Sequence, residues 1–139
     1  MLKPRVGTED GNNYTRSVVT VGSTQVAFYV THLNAYDQAT RLAQLETLAI
    51  AAAADSIAHV VIAGDFNLHL DSEYTALLSR GFSMVNNENG PNTYNGQQGF
   101  VYHMDRLFHR GFSAQGAWAV EEIPRELGDH KPVWVDLTI

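Results

Sequence analysis

The chain contains no cysteine, which excludes disulfide scaffolds, thiolate zinc sites and cysteine nucleophiles together while leaving the compartment open. Cations are also scarce: nine Lys and Arg, only two of them Lys, stand against 15 acidic residues, for a formal net charge of −6. That deficit argues against a broad phosphate-binding footprint such as a long nucleic-acid groove, which needs clustered Lys and Arg. It leaves room for a single phosphate ester held at one point by a metal ion, because the cation reverses the local sign. No run approaches about 18 uncharged apolar residues, so no integral membrane segment is expected. The N-terminal Met-Leu-Lys-Pro-Arg-Val-Gly has no apolar signal core, so the expectation is a soluble chain, cytoplasmic by default. At 139 residues, 45% hydrophobic and 17% charged, the sequence is ordinary globular material with length for one domain and a sizeable core.

Strand and helix signals alternate without a linker between two cores. Thr15 to Val21 and Thr24 to Thr31 are rich in Val, Thr, Phe and Tyr, and Gly22-Ser23 between them fits a two-residue hairpin turn. Gln38 to Asp55 reads as a helix, because Leu42, Leu45, Leu48 and Ala49 recur at three- and four-residue spacing. His59 to Gly64 is a short apolar strand ending in Asp65-Phe66-Asn67. Asp71 is expected to cap a short helix with Tyr74, Leu77 and Leu78 on one face, closed by Gly81. Asn86 to Gly99 is a long Asn/Gly/Gln loop, and Val101 to Phe108, Gly116 to Glu121 and Pro132 to Ile139 are further strand candidates. Residues 1–14 read as an irregular N-terminal segment of a single unit, and there is no internal repeat.

Gln25 to Val30 and Val60 to Ala63 are apolar on both faces instead of alternating, the pattern of strands in a sheet covered on both sides. The two helices can cover one face. Either they split between faces, or a second sheet comes from elsewhere.

The candidate chemistry lies at strand ends. His32 follows one strand, Asp65 and Asn67 another, Asp105 lies in a third, and Asp129-His130 precede the last. Taken singly, Asp65 and Asp129 read equally well as turn acids. In Gly64-Asp65-Phe66-Asn67, however, Asp and Asn two apart in an extended segment point to one side, where they can orient a water and bind a phosphoryl oxygen. In the other pair, an ionised Asp129 can hold a hard cation. His130 beside it can donate to a phosphate oxygen, best with a carboxylate partner stabilising its imidazolium, and Asp105 is the natural candidate.

Thr31-His32-Leu33, Gly64-Asp65-Phe66-Asn67, Met104-Asp105-Arg106-Leu107-Phe108 and Gly128-Asp129-His130-Lys131-Pro132 occur in the order and rough spacing of the endonuclease/exonuclease/phosphatase superfamily, which the chain resembles over about residues 15–139. Arg41 and Gln44 match that family's Arg-x-x-Gln spacing. The resemblance implies a DNase I-like α/β sandwich, a divalent metal (Mg2+ or Mn2+) and hydrolysis of a phosphate ester: nucleic acid, a phospholipid head group or a small phosphodiester. It implies that Asp65 orients or deprotonates the attacking water and that Asn67 helps place water and phosphate. Asp129 would lie on the metal, and His130 would bind the scissile phosphate with Asp105 behind it. His32 would contact phosphate or assist the leaving oxygen, and Tyr94 would stand near the substrate.

The chain departs from the family in lacking its first half, with the Asn and the principal metal-binding Glu carried there; Glu9 and Asp10 do not resemble that Glu motif. Arg106 stands where His or Tyr is usual, and Gly128 where Ser is frequent. The expected architecture is therefore mainly the second sheet with its flanking helices, the other sheet missing or supplied by a partner. That partner is a second copy or a chain carrying the first half. The alternative is a catalytically incomplete half-domain serving as an interaction or assembly module. His59, His69, His103 and His109 read as surface or packing residues, Trp118 and Trp134 as core, and Glu121-Glu122 as a solvated face.

Overall fold

The computed structural model describes residues 14–94 and 102–139. Five strands form one sheet in the order β1-β2-β3-β5-β4: β1 (Tyr14–Val21), β2 (Thr24–His32), β3 (His59–Asp65), β4 (Ser83–Met84) and β5 (Asp105–Arg110). β1 and β2 are the expected hairpin, with Gly22 at φ +62° and Val21 opposite Thr24. Tyr14 already belongs to β1, so the irregular segment is shorter than expected, and its first thirteen residues lie outside the described ones. β2 and β3 run parallel, which requires a crossover, and α1 (Gln38–Ala53) provides it.

α1 starts where Asp37 accepts the backbone N–H of Thr40, and it ends at Ala53, two residues before the expected Asp55. The physical reason lies across the sheet. Asp55 is taken out of the helix by Arg16, whose Nε and Nη2 donate to its two oxygens at 2.6 and 2.9 Å, and by the Tyr29 hydroxyl at 2.7 Å. Leu45, Leu48, Ala49 and Ala52 pack onto Ala27, Tyr29, Val60 and Ile62 to make the core, joined by Phe66, Leu68, Tyr74, Leu77 and Phe108. Leu42 and Leu78, expected on the apolar faces, stay exposed. Asp71 does not cap the next helix: it opens a 3-10 turn (Asp71–Tyr74) preceding α2 (Thr75–Leu78). Its carboxylate instead accepts the Glu88 N–H and lies 3.4 Å from Arg106, while Glu73 accepts the N–H groups of His69 and Leu70.

The third expected strand starts later and runs further, at Asp105–Arg110; Val101, expected to open it, lies outside the described residues, as do 95–99 of the long loop. β6 (Ala114–Val120) and β7 (Val133–Thr138) pair antiparallel as a separate two-stranded sheet.

The expected architecture, mainly one sheet with its flanking helices, is the one observed, and among the described residues this hairpin is all that stands as a second sheet. Both helices sit on one face of the five-stranded sheet, and β7 faces the other across an apolar cleft of about 410 Å³ lined by Val26, Phe28, Val61, Leu107 and strand β7. Two strands cannot cover five. Val26 and Val61 are buried, but Val19, Val21 and Val30 of the same sheet remain exposed, Val30 at 53%. Trp134, expected in the core, is exposed on the face of β7 that alternates with the half-buried Val133, Val135 and Leu137, and Trp118 is half-buried. Among the described residues no helix is long and apolar enough to cross a membrane.

Candidate active site

The candidate residues gather at one end of the sheet because register brings strand ends together. His32 is aligned with Asp65 across β2–β3, and Asp65 with Asp105 across β3–β5. Gly64 makes the first alignment possible. Its φ is +150°, and a Cβ there would stand 2.0 Å from the Thr31 carbonyl oxygen. Past the strand, Asp65 accepts the backbone N–H of Asn67 at 2.8 Å, and Asn67 adopts a left-handed φ of +52°, which Asn tolerates. Its Nδ2 donates to the Leu33 carbonyl at 2.9 Å, tying the Asp-x-Asn turn to the segment after His32.

His130 is the hub. Its Nδ1 lies 2.9 and 3.1 Å from the two Asp105 oxygens, and its Nε2 lies 3.9 Å from Asp65 Oδ2. His32 Nε2 approaches the same Asp65 oxygen at 3.4 Å. Tyr94 stands edge-on to the His130 ring, centroids 4.9 Å apart, and pairs by isolated bridges with both His130 and Tyr102. Asp129 is the residue left apart. It is exposed, acts on His130 through charge alone, and makes no hydrogen bond or ion pair among the described residues.

The electrostatics follow from this packing. Burial pushes the Asp65 carboxyl above the ordinary carboxylate range, and the neighbouring Asp105 charge adds to it against the opposing pull of the Asn67 N–H and the two histidines. For His130, burial works to lower the pKa. The hydrogen bond and charge of Asp105, with Asp65 and Asp129, outweigh it, so the imidazole rises above its ordinary value.

Two positioning residues escaped the sequence reading. Thr93, fully buried, accepts the Asp105 backbone N–H on its hydroxyl and the Lys131 N–H on its carbonyl, fastening β5 to the segment bearing His130. Asn86, also buried, donates to the Asp105 carbonyl and accepts the Leu107 N–H. Their only sequence signal was membership of a polar loop, which loops without function share. Arg106, fully buried, donates to the Asn86 and His69 carbonyls and lies over Tyr74, so it braces the loops behind the site. His103 and His109 are buried as packing residues, His103 held by the Pro91 carbonyl, while His69 is exposed. Gln44 and Arg41 take the two backbone groups of Asn34: Gln44 Oε1 accepts its N–H, and Arg41 Nη1 donates to its carbonyl, each at 2.8 Å.

The resemblance implied a divalent metal. Among the described residues no three His, Asp or Glu side chains converge as a cation site, and the one residue expected on the metal, Asp129, stands off from the others. The donors present do not by themselves fit the group.

A helix-backed mixed sheet with a second sheet facing it, carrying a carboxylate-anchored imidazole and a half-buried Asp-x-Asn turn at one end, has a DNase I-like α/β fold. Residues 2–130 match the Endonuclease/Exonuclease/phosphatase family, and the chain belongs to it. Three solved structures illustrate the shared fold. D. rerio TDP2 complexed with single-strand DNA product is 22% identical over 95% of this chain and 64% of its own, with a TM-score of 0.75. The Bacteroides thetaiotaomicron mannosyl-6-phosphatase Bt3783 is 14% identical over 92% of this chain and 57% of its own, with a TM-score of 0.68. The inositol polyphosphate 5-phosphatase domain of SPsynaptojanin, in complex with inositol (1,4)-bisphosphate and calcium ion, is 17% identical over 99% of this chain and 53% of its own, with a TM-score of 0.69. No curated protein matches the sequence significantly. The chain spans 53 to 64% of the length of these three structures. Family members are phosphoesterases and generally depend on a divalent cation.

Proposed function

We propose that this chain is a single partial domain, residues 1–139, carrying the water-activating and phosphate-binding part of a phosphoester-hydrolase site. The observation that carries the reading is the position of His130 between two carboxylates, anchored by Asp105 at Nδ1 and facing Asp65 with Nε2. In the proposed step a water oxygen bonds to phosphorus as its proton passes to Asp65, the ester P–O bond breaks, and the departing oxygen takes a proton from solvent water or from His32 in its protonated form. Burial makes Asp65 a stronger base than an ordinary carboxylate. Asn67 orients the water and a phosphoryl oxygen. The His130 imidazolium faces the charge that grows on the phosphoryl oxygens, its ring held in orientation by Asp105 at Nδ1. His32, exposed and 3.4 Å from Asp65, contacts phosphate or serves the leaving oxygen. Tyr94 borders the substrate.

Mg2+ or Mn2+, the cation this reading expects, needs ligands outside the described residues, with Asp129 as the contribution from this chain. The same addition would complete the sandwich. We propose that the open apolar face is covered by further strands of the fold, on a separate chain carrying the first half or on a longer form of this one. A second copy is the weaker candidate, since it would repeat the same ligands without adding a Glu. Alone, the exposed Val30 face should self-associate at micromolar concentration, and Val30→Lys should relieve this; a strictly monomeric, well-folded wild type would contradict it.

The test is metal-dependent hydrolysis of bis(p-nitrophenyl) phosphate and plasmid DNA by wild type, Asp65→Asn and His130→Ala. A rate lost about 100-fold or more in both variants is expected. An unchanged rate in either variant, or a folded wild type that neither hydrolyses nor binds phosphate, overturns the reading. The second reading, an interaction module without catalysis, rests on the lack of a metal-ligand trio among the described residues; it predicts phosphate binding without turnover at any metal concentration.

A further inference from the structure

Beside the His130 centre lies a separate pocket of about 430 Å³, lined by Ala35, Arg41, Asn67, His69, Tyr94, Tyr102 and Met104. Asn67 and Tyr94 belong to both places: Asn67 is held by Asp65, and Tyr94 is edge-on to His130. The pocket is therefore contiguous with the proposed phosphate site. Its character is different. Where the centre is dominated by Asp65 and Asp105, no carboxylate among the described residues lines this pocket.

Arg41 sets its chemistry. Only one of its N–H donors is used, by the Asn34 carbonyl, and its Nε is buried with no partner. No Asp or Glu comes within ion-pair distance of it among the described residues. In a chain of net charge −6, a half-buried guanidinium without a carboxylate partner and with idle donors is positioned for an anion from outside. His69 adds ring nitrogens to the same lining. The walls are aromatic: Tyr94 and Tyr102 meet edge-on at 5.7 Å, and His69 lies against Tyr102 at 5.4 Å.

We propose that this pocket is a second anion subsite, in which Arg41 binds a phosphate lying one sugar-sized ring away from the scissile one, with the ring against Tyr94 and Tyr102. The inference rests on the proposed phosphate site at His130 and narrows its substrate class to molecules bearing two phosphates on one ring or on adjacent positions of a chain. Nucleoside and cyclitol bisphosphates share that chemistry. Aromatic walls favour a nucleoside, because a base adds a π-face that a cyclitol lacks.

Calorimetric titration of the folded chain with adenosine 3′,5′-bisphosphate, inositol 1,4-bisphosphate, adenosine 5′-monophosphate and inorganic phosphate tests this. The bisphosphates are expected to bind about 10-fold more tightly than the monophosphate, a gain that shrinks with added salt. Arg41→Gln should erase that gain while leaving monophosphate affinity within about twofold, and Arg41→Lys should keep part of it, because the charge remains without the planar fork. Equal melting temperatures of the variants separate a lost subsite from a loosened Asn34 segment. A nucleotide preference over the cyclitol identifies the ring; equal binding leaves the subsite and removes the stacking.

The two readings fail separately. Bisphosphate binding that depends on Arg41 but not on His130 keeps the subsite and overturns the His130 assignment. An advantage that survives Arg41→Gln, or bisphosphates that bind no tighter than the monophosphate, overturns the subsite. No binding of any of the four ligands overturns both.

Discussion

Asp105 takes the Nδ1 edge of His130 on both carboxylate oxygens, at 2.9 and 3.1 Å, while standing opposite Asp65 in the β3–β5 register. One carboxylate thus holds the imidazole and the other faces it. Burial opposes the charge on His130, but Asp105 outweighs it and the folded-state pKa is raised. The stability this pair contributes is fully present below the unfolded imidazole value, near 6.5, and is lost as pH rises through the higher folded value. Asp105→Asn should therefore lower the melting temperature more at pH 6 than at pH 9. It should also bring the His130 titration, followed by imidazole NMR, down to or below its ordinary value.

Asp65 shifts in the same direction as His130, but here it is the ionised form that the fold disfavours. Burial first, then Asp105, raises its pKa, so the folded state favours the protonated form and stability is lost as pH rises through that value. Ionised Asp65 is a local cost at neutral pH. Asp65→Asn should raise the melting temperature at pH 7 by a few degrees, an advantage that vanishes at pH 3, while reducing hydrolysis about 100-fold or more. A variant that melts lower at pH 7 and equally at pH 3 would contradict this.

Gly64 answers to a steric test. A Cβ at this position meets the Thr31 carbonyl oxygen at 2.0 Å, and the φ of +150° is unfavourable to any side chain. Gly64→Ala should cost about 2 kcal/mol or more in chemical denaturation and disturb His32 and Asp65, the next residues along both strands.

Asp55 should matter for the fold and not for the site. Its side chain is only 2% exposed, and the hydrogen bond from Arg16, opposed by burial and aided by Ile57 and Tyr29, lowers its pKa to about 2. That contribution is present above the unfolded value near 3.8 and is lost as pH falls toward 2. Asp55→Ala should destabilise the protein by about 3 kcal/mol at pH 7, with the difference narrowing between pH 4 and 2. Phosphate affinity per folded molecule should not change.

Asp55 also marks where sequence reading stops. Its helical spacing continued α1, and only the Arg16 and Tyr29 partners, from two other strands, take it out. Local pattern carried the hairpin at Gly22, the apolar strand β3 and the crossover helix, because each is fixed by neighbours a few residues away. His32, Asp65, Asn67, Asp105 and His130 were legible as strand-end polar residues in short motifs, and strand register brings them together. Thr93 and Asn86 were not legible, since their task is to satisfy backbone groups of a strand distant in sequence. Trp134 misled through its type: a large apolar residue at a strand position is core only when something covers its face, and along β7 it is Val133, Val135 and Leu137 that are half-buried while Trp134, alternating with them, is exposed. Asp129 shared a motif with His130, yet it sits at a bend before the His130 bridge and is exposed, which the spacing of the motif does not reveal.

The most direct test of the central claim is an NMR titration of the isotopically labelled chain with inorganic phosphate at pH 6 and pH 8, following the His130 imidazole and the Asn67 side-chain amide. The account predicts saturable shifts of both signals, tighter binding at pH 6 where the imidazole is charged, and about 10-fold weaker binding in His130→Ala. Unmoved His130 and Asn67 signals in the folded protein, or equal affinity in His130→Ala, would contradict it.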